Sequence, residues 1–237
     1  MHLEIVSHCW KYTRLAMYHL SSVYLNPPRK TKVKITIYYA KEDQPTLKLL
    51  EYFSQFKVPN VTWNWQDIPV PMLMRRAIGR NMTAQSTTAD WVWYNDVDTL
   101  IGPGSVDTLM EEAESQPEAK LIYPRRIQAT SDATGDRLIE KATGDPRVLT
   151  IKHQDFTPLS YNRAIGGVQI VRTSVLKQVG YCPQPKWQRT ESTWKRTFED
   201  VAFREHLGPN EKGQPINCPR IFRILHTKKG RDEKVSL

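Results

Sequence analysis

Strand-like and helix-like patterns alternate through the first hundred residues, and this alternation limits the possible folds more than any other feature of the sequence. Runs of β-branched and aromatic residues predict strands, and apolar residues at helical spacing predict the helices between them. The predicted strands are residues 3–7, 33–39, 61–65 and 91–94, and the predicted helices are 12–25, 46–56 and 71–85. Such alternation favours a mostly parallel sheet with helices on both faces. We therefore predict an α/β fold.

The second half of the chain is less regular. Its predicted helices are 105–115, 174–179 and 199–207, and its predicted strands are 120–123, 168–172 and 220–226. Residues 128–162 are polar and carry glycine and proline at intervals, which predicts a hairpin and long loops. With 237 residues, 39% of them hydrophobic and 25% charged, the chain has the composition of a soluble globular protein and suffices for one large domain or two small ones.

Asp96-Val97-Asp98, which we call the acidic motif, follows the strand at 91–94 directly. Alternate residues of an extended chain point the same way, so the two carboxylates can converge on one point. Mg²⁺ and Mn²⁺ take oxygen ligands, usually one or two carboxylates together with phosphates and water. The motif indicates a metal that holds a phosphorylated substrate. The alternative is chance, because a turn after a strand also favours aspartate.

Polar residues also follow two further predicted strands. In open parallel sheets ligands bind beyond the carboxyl ends of the strands. The residues expected at that edge are Ser7, His8, Glu42, Asp43, Asp96 and Asp98. Several separate features therefore point to one ligand-binding edge.

Charge and cysteine content narrow the setting. The net charge of +9 favours anionic partners such as nucleotides or nucleic acid, although it also serves solubility. Cys9, Cys182 and Cys218 show no paired spacing, which argues against a zinc site or a disulfide framework. We see neither a signal peptide nor an apolar run long enough to span a membrane, so we expect a cytoplasmic protein.

Taken in order, the motifs resemble those of the GT-A glycosyltransferases, in particular the family-2 type, which use nucleotide sugars and have one α/β domain. The matching segments are Gly79-Arg80-Asn81, Asp96-Val97-Asp98, Gly166-Gly167, Phe198-Glu199-Asp200 and His226. The resemblance covers nearly the whole chain. It implies a single GT-A domain over 1–237, in which 1–100 binds the nucleotide sugar, most often a UDP-sugar, and 101–237 carries the acceptor-binding and catalytic residues.

The resemblance also implies roles for individual residues. Asp96 would lie near the ribose and the metal, Asp98 would bind Mn²⁺ or Mg²⁺, and His226 would be a further ligand unless it only hydrogen-bonds the backbone. Asp200 would be the catalytic base of an inverting enzyme, with Glu199 as the substitute. A competing interpretation makes Thr197 the cap of the helix and Asp200 its capping-box partner.

Further residues are implied in donor binding. Arg76 and Arg80, on the helix before the acidic motif, would contact phosphate, and the alternative is a solvated basic face. Glu42 and Asp43 match positions where relatives contact the nucleobase. Gly166-Gly167 would let backbone approach the donor sugar or the acceptor, unless it is a plain turn. Ser7 and His8 complete the expected donor site.

The acceptor is less defined. Trp187 and Trp194 lie among lysines and arginines, a pattern that suits stacking on an acceptor sugar or on nucleic-acid bases. We expect a metal-dependent glycosyltransferase that transfers a sugar, with inversion, to a saccharide or glycoconjugate. A modified DNA base is an alternative acceptor. Two further functions stay open, namely a nucleotidyltransferase, although Ser7–Lys11 lacks the usual glycines, and a non-enzymatic basic nucleic-acid-binding domain.

Overall fold

The computed structural model describes residues 1–193 and 197–227. Its strands are β1 His2–His8, β2 Lys32–Tyr39, β3 Val61–Asp67, β4 Trp91–Tyr94, β5 Thr99–Ile101, β6 Leu121–Pro124, β7 Arg126–Ala129, β8 Thr157–Ser160, β9 Gln169–Arg172, β10 Gln214–Ile216 and β11 Ile221–Arg223. Its helices are α1 Thr13–Leu25, α2 Gln44–Ser54, α3 Val70–Leu73, α4 Arg76–Ser86, α5 Ser105–Glu114, α6 Asp132–Lys141, α7 Thr173–Val179, α8 Pro185–Gln188 and α9 Glu199–Leu207. A 3₁₀ turn spans His153–Asp155.

Seven of these strands form a central sheet in the order β10-β6-β9-β4-β1-β2-β3. Neighbours pair in parallel, except that β9 runs antiparallel to both β4 and β6. The carboxyl ends of β1, β4, β6 and β10 therefore share one edge. The predicted α/β architecture with a mostly parallel sheet is confirmed.

Helices cover both faces of this sheet because successive strand residues face opposite sides. In β4, Trp93 belongs to a core built with α1, α2 and α5, whereas Tyr94 belongs to a second core built with α4, α7 and α9. All four residues of β4 are buried. The acidic motif thus emerges from one of the most enclosed strands of the sheet.

A smaller sheet, ordered β5-β11-β7-β8, lies beyond the acidic motif. In this sheet β11 pairs antiparallel with β5 and places Arg223 opposite Thr99. Just past this pair, the Ile224 backbone N–H donates to the Asp98 carbonyl at 2.8 Å. The last described strand is therefore tied by backbone to the acidic motif.

The polar segment 128–162 differs from its prediction as a hairpin with loops, because it contains α6. Ser131 caps this helix by accepting from the Thr134 backbone N–H at 3.2 Å. Gly135 lies against the Leu225 carbonyl, where a Cβ would come within 1.6 Å of the oxygen. With only Leu138 and Ile139 as large buried side chains, the apolar face of α6 was too short to predict a helix.

Other features also differ from the sequence prediction. The predicted helix at 71–85 divides into α3 and α4, because Arg75 adopts an extended conformation. The predicted final strand at 220–226 ends at Arg223. The pair β7 and β8 forms, but α6 and a long connection separate its strands, so the pair is not a tight hairpin. No helix among the described residues is long and apolar enough to cross a membrane.

Candidate active site

A cavity of about 160 Å³ lies at the carboxyl ends of β1 and β4, and we call it the first cavity. Its lining residues are His8, Trp10, Tyr12, Leu15, Leu73, Met74, Arg76, Asp96, Val97, Asp98 and His226. Five of the predicted site residues are therefore brought together here, including both carboxylates of the acidic motif. The convergence expected from their alternate spacing is present.

Asp96 is surrounded by three guanidinium groups. Arg76 Nη1 lies 2.9 Å from one carboxylate oxygen, and Arg80 Nη2 lies 3.8 Å from the same oxygen. Arg223 Nη2 lies 3.9 Å from the other oxygen. Burial works to raise the pKa of Asp96, but the three arginines hold that pKa below its ordinary value. Asp96 is therefore an anion at neutral pH.

Asp98 depends on Arg223 for its charge balance. Both Nε and Nη2 of Arg223 lie 3.1 Å from Asp98 Oδ2, and Thr99 Oγ1 donates to Asp98 Oδ1 at 3.2 Å. Burial, with the nearby charge of Asp96, raises the pKa of Asp98 above its ordinary value in spite of Arg223. The two carboxylates therefore repel each other, and a bound cation would relieve that repulsion.

Arg80 lies inside the protein and is not part of a solvated basic face. Its Nη1 donates to Tyr181 Oη at 2.7 Å, and its Nη2 donates to the Gly166 carbonyl at 2.9 Å. The guanidinium carbon also lies 5.5 Å from the ring centre of Tyr94 and 5.3 Å from that of Tyr181. The Arg80 guanidinium therefore fixes the positions of α4, the glycine pair and the acidic motif relative to one another.

Gly166 and Gly167 separate the acidic motif from the start of α9. A Cβ on Gly167 would lie 3.1 Å from Asp96 Oδ2, and a Cβ on Gly166 would lie 3.8 Å from the Asp200 side chain. The Gly167 carbonyl also accepts from Trp93 Nε1 at 3.1 Å. The pair therefore forms a stretch of backbone without side chains, which we call the glycine floor, between Asp96 and Asp200.

The start of α9 corrects the capping-box interpretation. The residue before the helix is Phe198, with φ at 53°, and its side chain caps nothing; Thr197 instead donates its hydroxyl to the Glu199 carboxylate. Glu199 is 2% exposed and accepts from Arg76 Nε at 3.2 Å. Burial works to raise the pKa of Glu199, but Arg76, Arg80 and the Thr197 hydroxyl keep it below its ordinary value.

Asp200, by contrast, is accessible. Its side chain is 24% exposed, and Arg204 Nη1 lies 3.8 Å from its Oδ2, beyond hydrogen-bonding distance. Its backbone carbonyl accepts from Gln169 Nε2 at 3.0 Å, which fixes the first turn of α9 on β9. Of the two adjacent carboxylates, Asp200 is the one that can exchange a proton with a ligand.

The first cavity supplies suitable ligands for Mn²⁺ or Mg²⁺. Among the described residues, no three His, Cys, Asp or Glu side chains already form a metal-ligand cluster. However, Asp96 and Asp98 share the cavity with His226, whose Nδ1 is buried without a hydrogen-bond partner in the described part of the chain. Carboxylate oxygens with one imidazole nitrogen suit Mn²⁺. These residues fit such an ion, provided that the carboxylates exchange arginine contacts for metal contacts.

The remaining predicted residues lie in several places. His8 lines the cavity and stacks on Tyr38 with ring centres 5.1 Å apart. Burial, followed by Arg80 and Arg76, holds the pKa of His8 well below its ordinary value, so the ring is neutral. Ser7 is buried beneath the edge, and its hydroxyl has no hydrogen-bond partner among the described residues.

Glu42 and Asp43 do not line the first cavity. Glu42 is exposed, whereas Asp43 is buried and caps α2. The Asp43 carboxylate accepts from the Lys11 backbone N–H at 2.6 Å and from the Thr46 hydroxyl at 2.7 Å. These contacts fix the loop after β1, so any contact of Asp43 with a nucleobase would be additional to them.

Of the two predicted acceptor tryptophans, Trp187 lies among the described residues. Trp187 lies on α8, half-buried against the second core, with Lys186 Nζ 5.2 Å from its ring centre. Trp194 lies outside the described residues. Trp187 is not among the residues that line the first cavity.

Sequence reasoning missed Arg223, Tyr181 and Gln169. Tyr181 Oη accepts from Arg80 and donates to Gln169 Oε1 at 3.1 Å, so a buried polar chain joins α4 to α9. Arg223 had a visible signal, because it interrupts the apolar run 221–225, and a charge inside such a run usually has a buried partner.

The fold of this chain is similar to the folds of solved glycosyltransferase structures. No protein-family model matches the chain, and no curated protein sequence matches it. Residues 1–349 of TarS from S. aureus, in complex with UDP-GlcNAc, superpose with a TM-score of 0.61 at 12% identity, covering 100% of this chain and 62% of that one. The longer TarS structure gives a TM-score of 0.62 at 12% identity, covering 95% and 37%.

A second protein gives the same result. The mannosyltransferase PcManGT from Pyrobaculum calidifontis, in complex with GDP-Man and Mn²⁺, superposes with a TM-score of 0.58 at 13% identity, covering 97% of this chain and 58% of that one. The chain thus spans about 60% or less of the length of these structures. Nearly all of its residues superpose, and the chain has the fold of the nucleotide-sugar glycosyltransferases.

Proposed function

We propose that this protein is a metal-dependent glycosyltransferase that transfers a sugar, with inversion, from a nucleoside-diphosphate sugar to an acceptor hydroxyl. One observation carries the proposal. On a glycosyltransferase fold, the glycine pair 166–167 lies between the acidic motif at Asp96 and the accessible carboxylate of Asp200. A donor held at one end of this floor therefore meets a base at the other.

The first cavity suits the diphosphate end of a donor. TarS has been solved with UDP-GlcNAc and PcManGT with GDP-Man and Mn²⁺, so a nucleotide sugar is the class of ligand to expect. We favour a UDP-sugar. Asp96, Asp98 and His226 would hold the divalent ion, which when bound would act as a Lewis acid on the departing diphosphate. Arg76 is close enough to Asp96 to turn toward a phosphate oxygen when the carboxylate binds metal.

Asp200 would be the base. It would take the proton from the acceptor hydroxyl as the oxygen attacks the anomeric carbon of the donor, and the bond from that carbon to the diphosphate would break. Attack from the face opposite the leaving group inverts the anomeric configuration. Glu199 is a poorer candidate, because Arg76 and Thr197 already occupy its buried carboxylate.

The competing functions explain fewer of these features. A nucleotidyltransferase would use the acidic motif, but the loop after β1 lacks the glycines that commonly cradle a triphosphate. A basic nucleic-acid-binding domain would explain the charge of +9, yet it gives no role to four carboxylates gathered at one sheet edge. We also propose a cytoplasmic location, for which three buried cysteines that form no disulfide among the described residues provide support.

Donor binding provides the first test. Calorimetry with UDP, UDP-GlcNAc and GDP-Man, each with and without Mn²⁺, should detect binding that Mn²⁺ strengthens. Asp98→Asn should weaken the Mn²⁺-dependent binding by at least about tenfold, since even indirect partners of a metal cost that much. Asp132→Asn, an exposed aspartate on α6, is the matched control.

Two results would refute the proposal. One is the absence of binding by any of these nucleotides, and the other is an Asp98→Asn protein that binds them with metal as well as the unaltered protein does. If donor binding is found, NMR of the transferred sugar would read its anomeric configuration. Retention of the configuration would remove the role given to Asp200 while leaving donor binding in place.

A further inference from the structure

A second, wider cavity of about 1060 Å³ opens at the same edge of the central sheet, beyond the carboxyl ends of β6 and β10. It is lined by Arg125, Arg126, Ser160, Tyr161 and Asn162, together with residues of β6 and of the segment after β10. None of the motifs that define the first cavity contributes to it. The sheet therefore presents two cavities side by side, separated by β9.

Backbone hydrogen bonds fix the two arginines in place. The Arg125 N–H donates to the Ile216 carbonyl at 2.9 Å, and the Arg125 carbonyl accepts from the Tyr161 N–H at 2.9 Å. Arg126 starts β7 and lies opposite Ser160 in the pairing with β8. Only the side chains are left to adapt to a ligand, which reduces the entropy lost on binding.

The charges in this cavity are not neutralised. Arg125 and Arg126 are exposed, and neither guanidinium has an ion pair or hydrogen bond with the described residues. Glu112 is the acidic residue of the lining, and its Oε2 accepts from the Asn217 backbone N–H at 3.2 Å. Guanidinium groups without a carboxylate partner, on two residues that line one cavity, suit the binding of phosphate or carboxylate.

Tyr161 connects this cavity to the first. Its hydroxyl accepts from Arg223 Nη1 at 3.4 Å, and Arg223 contacts Asp98. The chain then runs from Tyr161 through Asn162 to the glycine floor. Tyr161 of the second cavity is therefore one hydrogen bond away from the arginine that contacts Asp98 in the first cavity.

We propose that the second cavity binds the acceptor, that the acceptor is an anionic saccharide, and that Arg125 and Arg126 bind its phosphate or carboxylate group. The inference rests on the proposed transferase function and adds the acceptor class. Ser160, Asn162 and Asn217 supply neutral hydrogen-bonding groups suited to hydroxyls. A nucleic acid would need stacking platforms, and the aromatic residues of this lining are Tyr161 and the buried Tyr123.

The test uses the full chain with UDP and Mn²⁺ already bound, so that the first cavity is filled. Glucose 6-phosphate, glucuronic acid and glucose are titrated separately and followed by NMR. We expect one or both acids to bind at least about tenfold more tightly than glucose. Arg125→Gln with Arg126→Gln should remove that preference and leave UDP affinity unchanged.

The matched control is Arg29→Gln with Lys32→Gln, which removes the same charge at the opposite edge of the sheet, where both residues are exposed. This control should keep the preference for the acids. Equal binding of all three sugars overturns the inference, as does a preference that survives the loss of Arg125 and Arg126. An oligodeoxynucleotide that binds through these arginines more tightly than either acid overturns the saccharide assignment.

The two proposals fail in different ways. If UDP binds but the acids show no preference, the transferase proposal stands and the acceptor assignment falls. If UDP does not bind, the same titration of the free protein still reports whether Arg125 and Arg126 select acids. Binding of UDP therefore tests the first cavity, and the preference for acids tests the second cavity.

Discussion

The two cavities on the carboxyl edge of the sheet differ in how their charges are balanced. In the first, Arg76 and Arg223 contact the carboxylates of Asp96 and Asp98, and all four side chains are partly buried. In the second, Arg125 and Arg126 face solvent and contact no carboxylate among the described residues. The charges of the first cavity are balanced by its own residues before any ligand binds, whereas the positive charges of the two arginines in the second cavity are not.

This difference has consequences for stability and for binding. A buried charge that loses its partner costs far more than an exposed one, because it can neither return to water nor find another counter-ion. An exposed arginine without an ion pair contributes little to stability. Its guanidinium can bind a ligand without first breaking a contact within the protein. We therefore expect substitutions in the first cavity to affect folding and chemistry together, and those in the second to affect binding alone.

The largest effect is expected at the boundary between the cavities. Asp200→Asn should lower kcat by roughly a thousandfold, because the amide cannot accept the acceptor proton. Donor affinity should change little, since Asp200 is not part of the first cavity. Steady-state kinetics with calorimetry of UDP binding gives both values. An unchanged kcat in the variant would show that Asp200 is not the base and has only a structural role in the first turn of α9.

Arginine substitutions compare the cavities directly. Arg223→Met should lower the free energy of unfolding by roughly 3 kcal/mol, because the largely buried carboxylates of Asp96 and Asp98 would lose the counter-ion that they share. Arg125→Gln should change the free energy of unfolding by less than about 0.5 kcal/mol. Urea denaturation measures both. Similar values for the two variants would contradict the contrast between compensated and uncompensated charge.

Two buried histidines, one lining the first cavity and one near it, predict a pH dependence of stability. His19 lies behind the acidic motif, with Nδ1 2.6 Å from the Thr99 carbonyl, and burial lowers the pKa of His19 to about 4. The unfolded chain therefore binds a proton below pH 6.5 that the folded chain refuses until about pH 4. Stability should fall as the pH is lowered through this window, by roughly 2 kcal/mol at pH 5 from His19 alone.

His8 adds to this loss in the same direction. Urea denaturation at pH 7 and pH 5 would measure the total, and His19→Gln should reduce the difference between the two values. An unchanged difference in that variant would mean that His19 is protonated in the folded protein. The second cavity contains no histidine among its lining residues and should not contribute.

The smallest effect concerns the floor between the cavities. Gly167→Ala would place a Cβ 3.1 Å from Asp96 Oδ2, and the crowding should cost roughly 1 kcal/mol of stability and weaken UDP binding. Gly166→Ala, with ordinary contacts at 3.8 Å, should retain stability and donor affinity. Thermal denaturation and calorimetry of the two variants would test this. Equal behaviour would mean that the floor is not tight at its Asp96 end.

Local patterns were sufficient for the regular parts of the fold. The bounds of β4 and α9 agree with the sequence prediction, because β4 is an uninterrupted run of aromatic and β-branched residues and because Phe203 and Leu207 lie one helical turn apart on the buried side of α9. The grouping of Asp96, Asp98 and His226 also followed from the order of elements and the resemblance. These features depend on short stretches of sequence or on topology.

The features that were missed depend on contacts between distant segments. Helix α6 packs Gly135 against Leu225 and joins Asp136 to Thr227, and such contacts leave no periodic pattern. The partnership of Arg223 with Asp98 required the register of β11 on β5. The second cavity is formed where the ends of β6, β8 and β10 converge, and no single segment indicates it.

The ion pairs of the first cavity also have a consequence for how the protein is made. Asp98 and Arg223 are 125 positions apart, and Arg76 and Glu199 are 123 apart. Contacts of such long sequence separation close large loops and form slowly. During synthesis the acidic motif is therefore produced long before its counter-ion. Only a chain translated beyond β11 can complete the ion pairs of the first cavity, whatever folds earlier in the amino-terminal half.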